Sequence, residues 1–171
     1  MNHTSPATDP ALVLLQFERW ANQRLFDACS NLSDEDLDRE FEIGLGSLRA
    51  NLIHVIGAIR GWTDLLNRAE EPRFQPKHDP PGPSIDQLRI LHDEVMDDFE
   101  AATTSGEPSD LFRPEREGRT YRFSRGGVLT HVTTHSMHHR AQCLNMIRHL
   151  GVPDQPESSV FQWMIAHPPE E

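Results

Sequence analysis

The chain has 171 residues, enough for one domain with a sizeable core, and a formal net charge of −11 with histidine neutral. This acidity argues against nucleic-acid and membrane partners. Residues 1–10 lack the features of a signal peptide, and no apolar run approaches the roughly 20 residues of a membrane span. The two cysteines, Cys29 and Cys143, form no CxxC pair or disulfide framework, so we predict a reducing, cytoplasmic compartment.

Four amphipathic segments, in chain order, predict long helices. The first covers residues 11–29 and the second covers residues 47–69. The third covers residues 84–103, with Ser84 as its cap, and the fourth covers residues 127–150. No sustained strand pattern lies between them, so the sequence predicts an all-α fold, a four-helix bundle.

The helices are separated by long connections. Residues 1–10 are polar and predict a loose N-terminal tail. In the acidic stretch after the first helix, Ser33 and Asp36 predict a short helical turn. Residues 70–83 contain five prolines and predict a crossover loop on the surface.

The regions on either side of the fourth helix complete the chain. Residues 105–126 are rich in charges, glycine and proline, and their aromatic residues predict a small β-hairpin before the last bundle helix. Residues 152–171 form a C-terminal extension with one short helix or strand, in which we expect Phe161 and Trp163 to pack on the bundle. No internal repeat or second domain is visible, so residues 1–171 predict a single domain.

The fourth helix contains the most informative pattern. At about 100° per residue, His135 and His139 fall on the same side as Val128, Val132 and Met146. Their spacing of four residues stacks the two imidazoles where they can share one metal ion. Two buried imidazoles without partners would each cost a few kcal/mol, so we predict that this pair binds a metal.

The other histidines are weaker candidates. His131 and His138 fall toward the polar side of the helix, where we expect surface residues or residues that support the ligands. The rival pair of His131 and His135 has the same spacing and is disfavoured only because His131 lies off the apolar side. His54, on the border of the second helix, would by itself indicate a structural histidine. It becomes a candidate because the pair on the fourth helix needs a third ligand.

Three segments carry a resemblance to a known family. Residues 20–25 (WANQRL), residues 48–54 (LRANLIH) followed by Trp62, and residues 135–142 (HSMHHRAQ) resemble the DinB/YfiT-like family. The resemblance extends from the first helix to the end of the fourth. The sequence departs from the family pattern at Ala141, where many relatives have glycine.

The resemblance implies a four-helix bundle in which one histidine of the second helix and an HxxxH pair of the last bundle helix bind one divalent metal. Those positions are His54, His135 and His139 here. Three neutral imidazoles suit zinc or nickel, and three protein ligands leave an open position that can activate water or hold a thiolate. The family name comes from a DNA-damage-inducible gene and does not imply DNA binding.

The resemblance also implies an activity and an assembly. Characterised members are thiol-dependent S-transferases or isomerases, so we expect a metal-dependent enzyme that uses a low-molecular-weight thiol and a small-molecule substrate. A metal-dependent hydrolase and a non-catalytic metal- or ligand-binding stress protein remain the alternatives. A homodimer is expected from the family.

Two further residues near the histidines have open roles. Cys143 lies one turn beyond His139 and could be a fourth ligand or a redox-sensitive thiol, although a small buried core residue is the favoured role. Arg140 points away from the ligand pair and is expected to form a structural ion pair or a dimer contact.

Overall fold

The computed structural model of the protein describes residues 9–69 and 82–168. The features predicted for the N-terminal tail and for most of the proline-rich crossover lie outside the described residues, as does the extreme C-terminus. Among the described helices, none combines the length and the hydrophobicity needed to cross a membrane.

Four long helices form a bundle, so the prediction of an all-α four-helix bundle is confirmed. They are α1 (Pro10–Cys29), α3 (Leu48–Leu66), α4 (Ile85–Thr104) and α5 (Arg125–His149). Two short helices, α2 (Asp34–Asp38) and α6 (Val160–Ala166), lie outside the bundle. Each long helix begins after a polar cap whose side chain accepts a hydrogen bond from the first turn, and these caps are Asp9, Ser47, Ser84 and Ser124.

The order of the helices around the bundle determines which side chains can meet. α3 packs against α4 and α5, and α1 packs against the same two helices, so α1 and α3 lie on opposite corners. Leucine, isoleucine, valine, methionine and phenylalanine side chains from all four helices fill the centre. One side of α5 therefore faces α3 and another side faces α1, and the polar residues of α5 have partners on both.

The predicted β-hairpin before the last bundle helix is present. Strands β1 (Leu111–Phe112) and β4 (Phe123–Ser124) pair antiparallel, and β2 (Glu115–Arg116) and β3 (Arg119–Thr120) continue the hairpin to its turn. The turn residues, Glu117 and Gly118, both have positive φ angles of 52° and 72°, as a tight two-residue hairpin turn requires. The ring of Phe123 packs against Trp62 of α3, at 5.3 Å between centroids, so the hairpin covers the C-terminal half of that helix.

The short helix α2 fixes the chain just before α3. The predicted helical turn begins at Ser33, which forms a capping box with Asp36, in which each side chain binds the other residue's backbone N–H. Arg49, buried at the start of α3, reaches back to two carboxylates of α2, Asp34 at 2.5 Å and Asp38 at 2.8 Å. These contacts hold the segment between α2 and α3 against the bundle.

The C-terminal extension contains a helix, α6, that packs on α1 through the buried Trp163 and the partly buried Val160. Trp163 is buried against Phe17 and Ala21, as predicted. Phe161 is 63% exposed, so the prediction that it packs on the bundle is wrong. The reason is geometric, because two residues correspond to about 200° around a helix and Phe161 therefore points away from the side that carries Trp163.

Candidate metal centre

Helices α3 and α5 bring together His54, His135 and His139. The Nε2 atoms of His54 and His135 lie 3.2 Å apart. His139 completes the cluster, with its ring centroid 4.6 Å from each of the other two. One candidate ligand atom from each ring lies within 4.8 Å of the other two. The structure thus places the three histidines selected from the sequence around a common point.

The donor set and the spacing fit a late first-row divalent ion. Two nitrogens bound to one tetrahedral zinc at about 2.0–2.1 Å lie about 3.3 Å apart, close to the separation of the two Nε2 atoms. The cluster found among the described residues contains neither a carboxylate nor a thiol. Its three donors are imidazole nitrogens, which suit zinc, copper, iron and nickel. The cluster is therefore compatible with metal binding.

The protonation state of the cluster also favours a cation. Burial is the main reason why the pKa of His135 falls from 6.5 to about 4, and the charges of the neighbouring histidines, His139 first, lower it further. Burial also lowers the pKa of His139, with His54 and His138 as the next causes. These two rings are therefore neutral at pH 7, which is the form whose nitrogen lone pair binds a metal.

The cluster is accessible from one side. His139 is buried, His135 is half-buried and His54 is exposed, so burial decreases across the three rings. A ligand bound between them would be enclosed by α3 and α5 on one side and reachable from solvent on the other. This asymmetry is typical of a catalytic site, in which the protein supplies three ligands and leaves a position for substrate.

Two further histidines of α5, His131 and His138, lie beside the cluster. His131 is exposed, and its ring packs edge-on against Trp62 at 4.9 Å and lies 5.5 Å from the ring of His135. His138 is also exposed, and its Nε2 lies 2.8 Å from the side-chain nitrogen of Gln142. The cluster includes neither residue, so the geometry favours the register of His135 with His139 over the rival pair.

Comparison with known proteins assigns the family. The family model for the DinB family matches residues 2–165. The chain belongs to the DinB family. A crystal structure of a DinB-like protein from Bacillus cereus superimposes with a TM-score of 0.64 at 21% sequence identity, covering 91% of this chain and 100% of that chain. At this level of identity, the structural similarity establishes the fold alone. A search of curated proteins found no match to the chain.

One polar partner of the cluster in this DinB-family protein was not predicted from the sequence. Asn51 is fully buried on α3, one turn before His54, and its Oδ1 lies 2.9 Å from Nδ1 of His139. The available signal was its spacing of three residues from His54, which places the two side chains on neighbouring parts of the same helix surface. An asparagine in that position is not by itself distinctive.

A second polar cluster lies on the other side of α5, against α1. Arg140 is 2% exposed and Glu18 is fully buried, and they form an ion pair at 3.0 Å. Asn22 contacts both side chains of this pair. Its Nδ2 donates a hydrogen bond to Glu18 at 2.5 Å, and its Oδ1 accepts one from the guanidinium of Arg140 at 3.3 Å. Of the two roles predicted for Arg140, a structural ion pair or a dimer contact, the structure shows the ion pair, on the side of α5 away from the histidine cluster.

The buried side of α5 is wider than the apolar stripe that the sequence predicts. Val128, Val132 and Met146 of that stripe are buried as predicted, and His135 is half-buried at its edge. The buried side extends further around the helix, to Ser136 and Arg140. The apolar residues of α5 do not by themselves indicate that Arg140 is buried. Its burial depends on a carboxylate from α1 that the periodicity of α5 does not reveal.

Cys143 belongs to the core of this DinB-family bundle. It is buried and stands outside the histidine cluster. Burial raises the pKa of its thiol well above the usual range, and nearby Cys29 contributes in the same direction. Burial likewise raises the pKa of Cys29 to about 12. Both thiols are therefore protonated at neutral pH, which fits core packing better than ligation or redox chemistry.

Proposed function

We propose that this DinB-family protein binds one divalent ion, zinc or nickel, through His54, His135 and His139 and is a metal-dependent enzyme that transfers a low-molecular-weight thiol to a small electrophile. The observation that carries this proposal is the convergence of three imidazoles from two helices on a point that is open to solvent on one side. A structural zinc site would be closed by a fourth protein ligand.

In such a transfer, the metal ion and the residues of the protein would have different roles. A bound zinc or nickel ion supplies positive charge that favours the thiolate form of a thiol at neutral pH. The rings of His135 and His139 would hold the ion from the buried side, with His54 as the third ligand, and the exposed edge at His54 would admit the thiol. In the reaction a carbon–sulfur bond forms as the carbon–leaving-group bond breaks. The leaving group takes the electron pair, and the thiol proton passes to solvent.

A cavity next to the cluster supports an organic substrate. It has a volume of about 1490 Å³ and lies between the C-terminal half of α3 and the β-hairpin. Ala58 and Trp62 line it, and they follow His54 at intervals of four residues, so the cavity begins one helical turn from the cluster. Phe123 and Tyr121, stacked at 6.0 Å, form part of the opposite wall. These aromatic surfaces suit a flat, apolar electrophile.

The proposed activity is tested by a screen of metal-loaded protein. Glutathione, bacillithiol and mycothiol are each paired with chloro-aromatic and epoxide substrates, and thioether formation is measured. We expect turnover with at least one pair and its loss in His135→Ala. Ester hydrolysis without a thiol would instead support the hydrolase alternative. A tightly bound metal with no turnover on any pair would leave the non-catalytic alternative.

A substitution in the cavity tests where the electrophile binds. Trp62→Ala removes an aromatic wall and is expected to raise KM for an aromatic substrate by about 3- to 10-fold, with little change in kcat. Trp20→Ala, at a half-buried tryptophan of α1, is the matched control and should leave KM unchanged. Equal effects of the two substitutions on KM would contradict this assignment of the cavity.

We also propose a homodimer, which membership of the DinB family supports. Sedimentation velocity of the purified protein measures the mass in solution. A monomer at micromolar concentration would contradict this part of the proposal, without affecting the metal centre.

A further inference from the structure

The side-chain amide of Asn51 has only one orientation that satisfies both of its neighbours. On one side, its Nδ2 lies 2.8 Å from the backbone carbonyl oxygen of Ser47. On the other side, its Oδ1 lies 2.9 Å from Nδ1 of His139. A carbonyl oxygen can only accept hydrogen bonds, so the NH₂ group must face Ser47 and the amide oxygen must face His139.

This orientation determines which nitrogen of His139 carries the proton. An amide oxygen can only accept, so the atom opposite it, Nδ1 of His139, must be the N–H donor. In a neutral imidazole the other nitrogen, Nε2, then has the free lone pair. Since Nδ1 is engaged with Asn51, Nε2 is the atom that remains for the cluster with His54 and His135.

The chain before α3 closes over this contact. Gly44 adopts a φ of +56°, and a Cβ atom at that position would lie 2.9 Å from Oδ1 of Asn51 and closer still to Oε1 of Gln142. The missing side chain lets the backbone approach Asn51, which is 0% exposed. Water therefore does not compete for the amide oxygen, and the hydrogen bond to His139 is formed in a low-dielectric environment.

We propose that Asn51 is a positioning residue that holds His139 in the Nδ1–H tautomer and directs Nε2 into the histidine cluster before any ion binds. The benefit of this arrangement for metal affinity rests on the proposed function. Ligating histidines are commonly held by an acceptor on their second nitrogen, and loss of that acceptor typically weakens metal binding about 10- to 100-fold. The tautomer itself is a property of the metal-free protein.

The test separates positioning from stability with three variants. Asn51→Leu has a similar size and removes both hydrogen bonds. Asn51→Asp keeps an acceptor for His139 and loses the donor to Ser47. Ser47→Ala removes the N-cap hydroxyl of α3 but keeps the backbone carbonyl that Asn51 contacts. This last variant is the control for destabilisation alone.

Two measurements are made on each variant. Long-range ¹H–¹⁵N NMR at pH 7.5 identifies the tautomer of His139 in metal-free protein, and competition with a chromophoric chelator gives the affinity for zinc. We expect Nδ1–H in the parent and in Asn51→Asp, and loss of that preference in Asn51→Leu with zinc binding about 10- to 100-fold weaker. Ser47→Ala should keep the tautomer and the affinity while its Tm falls by about 2–4 °C.

Two outcomes would overturn the inference, and a third would separate it from the proposed function. One is a parent protein in which His139 carries its proton on Nε2. Another is an Asn51→Leu variant that remains folded and keeps both the Nδ1–H tautomer and the zinc affinity of the parent. A parent that shows the Nδ1–H tautomer but binds no metal would overturn the proposed function and would support the role of Asn51 in fixing the ring.

Discussion

Replacing His135 by alanine is expected to abolish metal binding. The parent protein, purified without a histidine tag, should contain about one ion per chain by elemental mass spectrometry, and the same loss is expected for His54→Ala and His139→Ala. Removing one of three ligands should weaken binding more than the roughly 100-fold that loss of an outer hydrogen-bond partner can cause. The effect is large because the cluster found among the described residues offers no fourth protein donor as a substitute.

His138→Ala is the matched control for these substitutions. This histidine is on the same helix and adjacent in sequence to His139, but it is exposed and outside the cluster, so the variant should keep its metal. His131→Ala tests the rival register and should also keep its metal. Retention of the ion in His135→Ala would refute the assignment, and its loss in His131→Ala but not in His139→Ala would favour the rival pair.

The second large effect is expected at the buried ion pair between α1 and α5. Replacing Glu18 by leucine leaves the guanidinium of Arg140 charged in the core with Asn22 as its remaining polar contact. Breaking a buried pair in this way should lower the free energy of unfolding by about 3–5 kcal/mol, which is a large part of the 5–15 kcal/mol available to a typical domain. Arg140→Met should be similarly destabilising. Urea unfolding of the metal-free protein measures both changes.

A double substitution and a surface control complete this test. Glu18→Leu with Arg140→Met removes both charges and should recover most of the stability, because neither partner is then left uncompensated. Arg19→Ala is the control, since its pair with Asp97 at 2.6 Å lies at the surface and should contribute about 1 kcal/mol or less. A loss below 1 kcal/mol in Glu18→Leu, or a double variant as unstable as the sum of the single ones, would contradict this interpretation.

Much of the fold could be predicted because its signals are local. The helices follow from apolar residues that recur at helical spacing and from caps such as Ser84, which lies immediately before the residues that it stabilises. The hairpin follows from the aromatic residues of its two short extended pieces, which pair as β1 and β4. The prediction that Phe161 packs on the bundle was wrong because α6 contains two aromatic residues, and the sequence does not indicate which of them faces α1.

The candidate site was predictable in part for a similar reason. His135 and His139 are one turn apart, so helical geometry alone places their side chains together. His54 is on another helix, and it became a candidate because the pair on α5 needs a third ligand and because the family resemblance implies one at that position. The burial of Arg140 and Ser136 was not predicted, because it depends on polar partners from α1 rather than on the hydrophobicity of α5.

The sequence by itself determined the four helices, the hairpin and the histidine pair of α5, since each depends on residues that are near one another in the chain. Only the tertiary structure decided that Asn51 meets His139, 88 residues away, and that Glu18 meets Arg140, 122 residues away. Such contacts depend on how each helix is rotated about its axis and on which neighbour it packs against. Those rotations are set by the packing of all four helices together, because a buried polar group is tolerated only where another helix supplies its partner.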